Sequence, residues 1–228
     1  MDGIDLGGEL DRLRAAGSLP RALAVGCVGA ALYGAALGAW HGPRMALYAA
    51  VKLPLVLLAT GVATLAFNTL AAAVLGERLR VLEAARLTAS ALAVAAALLA
   101  ALAPVAALFS LAVRPPAADA RLDHNLLYLL HVGLVGACGL VGTAALWRSL
   151  AGLCRSRRAA RGVFCVWVGS LAVVGGEVAW VLRPFLGSVY ADVAFLRADA
   201  LDGNVYELVV TDIVPYLAGR ESGREEGP

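Results

Sequence analysis

Charge is scarce in this chain. Only 16% of its 228 residues are Asp, Glu, Lys or Arg, and they cluster between long apolar runs. A formal net charge of +2 provides no field that would hold a nucleic acid. Catalytic signatures are missing as well. H-E-x-x-H, G-x-S-x-G, the P-loop and G-x-G-x-x-G do not occur, so hydrolase, ATPase and dinucleotide chemistry have no local support and no catalytic residue is nominated. The four cysteines, Cys27, Cys138, Cys154 and Cys165, form no C-x-x-C pair. Three of them lie inside apolar runs, the pattern of buried free thiols and of neither a disulfide framework nor a zinc site. Asp199-x-x-Asp202-Gly203-Asn204 lacks EF-hand spacing and reads as a turn before a helix. No metal and no cofactor is implied.

What the chain has in excess is hydrophobic sequence, 61% of its residues, with a mean hydropathy of +0.78. A soluble domain is closer to half apolar. The runs are long enough to cross a hydrocarbon core of ~30 Å as helices. The expected fold class is all-α: a polytopic membrane helix bundle of about five transmembrane helices, with an acidic, partly helical C-terminal segment. The expected organisation is a polar N-terminal segment (1–19), a five-helix domain (20–187) and a peripheral segment (188–228). The spans fall at about 20–40, 55–74, 87–113, 125–147 and 163–187. Leu6, Leu10 and Leu13 fall at helical spacing in the polar lead. That lead is too long, and the following run too extended, for a cleaved signal peptide.

Small residues mark packing faces. Gly26, Ala30, Gly34 and Gly38 recur every four residues in the first span, and Gly133, Gly136, Gly139 and Gly142 every three in the fourth. Both patterns predict close helix approach. In the second run, Lys52 and Pro54 predict a bend after a short interfacial arm from Met45 to Val51, with Lys52 snorkelling to the headgroups. Asn68 further along needs a hydrogen-bond partner. Pro104 predicts a kink in the third span. Arg148, Arg155, Arg157, Arg158 and Arg161 read as a basic loop between spans four and five. With the N-terminus inside, that loop joins Arg12, Arg14 and Arg21 and then Arg78, Arg80 and Arg86 on one side. This asymmetry predicts N inside and C outside in a bacterial cytoplasmic membrane.

Five polar or ionisable groups and two aromatics are singled out. Glu177 lies within span five, and an acid at membrane depth is costly. Counting ~1.5 Å per residue from the span midpoints places Tyr33, His131 and Glu177 at one level in the outer leaflet. His131 facing Glu177 is the expected pair. That cluster reads either as a proton- or ion-responsive site or as a buried clasp fixing helix register. Trp180 and Arg183 are three apart and suit a cation–ring stack. Together with Lys52 and His41 they are expected at the outer interface. Asn204-x-x-Glu207 resembles a capping box, opening a helix whose apolar side carries Val205, Leu208, Val209 and Ile213. Those residues predict a tail docked over the Arg183 end of span five.

V-K-L-P in the second run, F-N beyond it, and E-V-A-W-V-L-R-P-F-L-G ending the fifth resemble a group of bacterial multi-pass proteins of unknown function. By span count alone the chain is loosely similar to the five-helix proteins of the Yip family. Neither resemblance implies an activity. The sequence leaves two functional classes open. One is a small channel, transporter subunit or proton-responsive component. The other is a structural or accessory protein that packs as a homo-oligomer or with a membrane partner. The bilayer itself is the one partner common to both.

Overall fold

The computed structural model describes residues 19–113, 121–187 and 193–208. It is an all-helical membrane bundle, with no strand among those residues. Five helices are long and apolar enough to cross a membrane: α1 (Leu19–Gly38), α2 (Pro43–Val74), α3 (Val81–Ala112), α4 (Arg121–Leu153) and α5 (Arg157–Val181). A 3-10 turn, Ala39–His41, prolongs α1, and a short α6 (Val205–Leu208) follows the last span.

Several boundaries differ from the sequence expectation. α2 is one helix of 32 residues with Pro54 inside it, so the expected arm, Met45 to Val51, is part of the same helix as the span. In a medium without water, opening the backbone at Lys52 would strand several polar groups. Carrying Pro54 forfeits one hydrogen bond. α3 likewise runs through Pro104. The expected basic loop shrinks to residues 154–156, because Arg157, Arg158 and Arg161 lie in α5. Ser156 caps that helix by accepting the Ala159 N–H at 3.1 Å. α5 also stops at Val181 rather than Gly187. Arginine is a good helix former, so the basic residues extend the start of α5, whereas Pro184 stops the helix from continuing to Gly187.

α1 packs against α2 and α3, α3 against α4, α2 against α5, and α4 closes on α5. The small-residue face of α1 makes this possible. A Cβ on Gly38 would come within 2.5 Å of the Met45 carbonyl, and one on Gly34 would overlap the Ala49 carbonyl. Gly29 meets Ala96 in the same way. The α4 stripe behaves differently. Gly142 alone is in close contact, 2.7 Å from the Ala91 carbonyl by the same measure, while Gly133, Gly136 and Gly139 have nothing within 4 Å. Their expected packing face is open.

Two ends can be distinguished. At the arginine-rich end, Ala72, Ala84, Leu146, Leu150, Val163 and Trp167 join α2, α3, α4 and α5 in one core. At the opposite end, Tyr33 and Ala36 pack on Ala103 and Ala106, and above them Leu37, Trp40, Leu127 and Leu186 close the bundle.

Candidate functional site

One enclosed polar cluster of the bundle is built by three helices. Tyr33 of α1 is fully buried, and its hydroxyl shares a 2.8 Å hydrogen bond with Nδ1 of His131 on α4. Nε2 of His131 lies 3.3 Å from Oγ of Ser110 on α3. The phenol and imidazole rings meet edge to face, centroids 5.6 Å apart. His131 is 4% exposed and Ser110 1%. A neutral imidazole offers one donor and one acceptor, and both nitrogens are in use here. Chemically this is a satisfied clasp linking α1, α3 and α4.

Glu177 is not part of it. Both ring nitrogens of His131 are taken by Tyr33 and Ser110, and Glu177 lies partly exposed on α5. The depth expectation misplaced Glu177 because it assumed a later helix end. With α5 ending at Val181, Glu177 sits four residues from the terminus. The other cause is packing: at this level α5 lies on α2, with Gly175 against Thr60. Glu177 instead faces the tail. Burial raises the Tyr206 phenol, and the Glu177 carboxylate adds to that rise.

Lys52 departs furthest from expectation. It does not snorkel; it is fully buried. Nζ donates to the Pro184 carbonyl at 2.7 Å and sits over the rings of Phe195 (5.1 Å) and Phe185 (5.8 Å). The segments after α5 therefore fold over it as a cap. Arg183 stacks on the Trp180 ring, its guanidinium carbon 3.7 Å from the centroid. It donates to the Asp199 carbonyl at 3.2 Å and pairs with the Asp199 carboxylate at 3.6 Å. Arg197 grips the same carboxylate through two bonds of 2.8 and 2.9 Å. That grip, with Arg183 nearby, holds the Asp199 carboxyl below its usual range. His41 packs edge to face on Trp40, and its ring lies against Gly187, where a Cβ would come within 2.5 Å of Cδ2. His124 Nε2 lies 3.3 Å from the Gly187 carbonyl.

The tail runs down the outside of α5. Tyr206 donates its hydroxyl to the Ala172 and Val173 carbonyls at 3.1 and 2.7 Å. Asn204 caps α6 by accepting the Glu207 N–H at 2.8 Å. Contact therefore extends along the flank of α5 and is not confined to the Arg183 end. Val209 and Ile213 lie outside the described residues.

A second polar seam joins α2 to α5, and sequence reasoning found only Asn68 in it. Trp167 Nε1 donates to the Asn68 carbonyl at 2.8 Å, and Ser170 Oγ donates to Asn68 Oδ1 at 2.6 Å. Thr64 donates to the Thr60 carbonyl at 2.8 Å. Thr60 Oγ1, Asn68 Nδ2 and Trp180 Nε1 are buried without a partner among the described residues. The spacing of Thr60, Thr64 and Asn68, every four residues on one face of α2, was the available signal. No group of three metal-ligating side chains occurs among the described residues. No family model, curated protein or solved structure matches this chain.

Proposed function

We propose that this chain is a structural or accessory protein of a bacterial cytoplasmic membrane, which packs with itself or with a membrane partner and neither transports nor catalyses. The observation that supports this is the closure of the Tyr33–His131–Ser110 clasp. Its histidine is buried, and each ring nitrogen of that histidine has a protein partner. A proton-handling histidine needs a path to water and a partner that changes charge. This one has a phenol and a hydroxyl. The open α4 face around Gly133, Gly136 and Gly139 is where a partner helix would approach most closely. The arginine-rich end faces the cytoplasm, placing the N-terminus inside and the tail outside.

Purified protein in liposomes carrying a pH gradient tests this. Dissipation of the gradient should match protein-free vesicles. A flux abolished by His131→Ala or Glu177→Gln would overturn the proposal. Reporter fusions at residues 80, 155 and 208 check the orientation. An inside signal at 208 contradicts it.

The α2–α5 seam favours the transport-component reading to a specific extent. Buried polar atoms without partners, Thr60 Oγ1 and Asn68 Nδ2, suit waters or a small polar occupant. If that seam conducts, Asn68→Leu should abolish flux while leaving the clasp intact.

A further inference from the structure

Lys52 is fully buried, yet what compensates its charge is neutral. Nζ meets the Pro184 carbonyl and the faces of Phe185 and Phe195, and among the described residues no carboxylate pairs with it. An ammonium in that position has lost its hydration without gaining a counter-charge. A carbonyl and two rings repay only part of that penalty.

The residues that cover Lys52 are held in two different ways. Leu186 is buried and packs with Leu37, Trp40 and Leu127, and Phe185 lies against the same cluster. That first stretch is fixed by apolar contact. Residues 193–208 rest on less. Of their described side chains only Ala200 is buried. Phe195 meets Tyr48 of α2 edge to face, centroids 5.3 Å apart. Asp199 is tied to Arg183 and Arg197, but its side chain is 42% exposed and that of Arg197 49%. Ion pairs so open to solvent contribute little. Tyr206 adds its bonds to the Ala172 and Val173 carbonyls.

Lys52 also has a second place to be. Its partner Pro184 lies just beyond Val181, the last residue of α5, so the amine stands at the outer end of the bundle. Once uncovered there, a lysine reaches water and headgroups along its own length. The ammonium is therefore accommodated in two arrangements, sealed or hydrated.

We propose that residues 193–208 form a flap over Lys52, and that the buried ammonium keeps this flap close to opening. The lysine is not a latch. Its charge lowers the cost of lifting the flap, because hydration is regained when Phe195 leaves. The proposal is independent of the accessory role argued above.

Two readouts on the full chain in micelles test it: trypsin cleavage after Arg197, and acylation of the Lys52 amine, both followed by mass. Lys52→Met keeps the length of the side chain and removes the charge. A buried charge replaced by an apolar group of similar volume is often stabilising, so cleavage after Arg197 should slow about tenfold. Tyr206→Phe, a change on the surface of the flap, should accelerate both cleavage and Lys52 acylation, and by the same factor. Unchanged or faster cleavage in Lys52→Met overturns the proposal, since the ammonium would then be holding the flap down. Faster cleavage in Tyr206→Phe without faster acylation also overturns it, because residues 193–208 would not be what seals the amine. Should Lys52→Met fail to fold, the Tyr206→Phe comparison still decides whether the flap exists, and Lys52→Leu repeats the charge test.

Discussion

If Tyr33, His131 and Ser110 form a satisfied clasp, removing His131 alone must cost more than removing His131 and Tyr33 together. Tyr33→Phe deletes one hydroxyl and leaves Nδ1 of His131 buried without its 2.8 Å bond. An unmade buried hydrogen bond costs about 1–3 kcal/mol in soluble proteins, and measured values between membrane helices average nearer ~0.6, with a maximum of ~1.7. A loss of about 1 kcal/mol is therefore expected. His131→Leu keeps much of the volume but strands both the Tyr33 and Ser110 hydroxyls, for about 2 kcal/mol. In the double variant the phenol is gone, only Ser110 is stranded, and the two apolar side chains face each other. Tyr33→Phe should then be stabilising, by about 0.5–1 kcal/mol, in the His131→Leu background. The sign reverses between backgrounds. Unfolding by titration with a denaturing detergent in mixed micelles, followed by tryptophan fluorescence, measures all four corners of the cycle. Additive variants, with Tyr33→Phe equally destabilising in both backgrounds, would refute the clasp.

Gly34→Ala forces a methyl into the Ala49 carbonyl and should cost about 1–3 kcal/mol. Gly136→Ala meets nothing within 4 Å and should be neutral or stabilising by about 0.5–1 kcal/mol; thermal unfolding compares the two. Tyr206→Phe removes the bonds to Ala172 and Val173, and limited proteolysis should then cut the 193–208 segment several-fold faster, with the bundle unchanged. Asp199 carries the pH dependence of the same segment. Its carboxyl is lowered from 3.8, so its contribution is present above that value and is lost as pH falls through the lower folded value. Proteolysis should therefore accelerate only below about pH 4, and Asp199→Asn should be cut at one rate across that range.

The spans were legible because their signal is compositional. A run of ~20 apolar residues has few other homes. Their ends were less legible, because arginines such as Arg157 and Arg161 suit a helix as well as a loop. His131 and Tyr33 stood out as polar groups at depth. The pairing with Glu177 failed because it was extrapolated from a helix end six residues too late, and because sequence adjacency of α4 and α5 was taken for contact along their whole length. Ser110 and Thr60 were hidden for another reason. A helical hydroxyl normally satisfies itself on the carbonyl one turn back, as Thr69 does on Leu65 at 2.8 Å, so its type alone does not mark it. Lys52 was misread because its cap is made by residues 132 and 143 positions later, Pro184 and Phe195, which local pattern cannot see.

Lys52 is also the chain's only lysine. Its amine is sealed under Pro184, Phe185 and Phe195. Amine-directed chemistry on the folded protein is thus confined to the N-terminus, and a lysine-specific protease has no accessible site. Acylation of a single nitrogen, counted by intact mass, reports how often the segment after α5 lifts away. The rate of that second adduct is a clock for cap opening that requires neither a label nor a substitution.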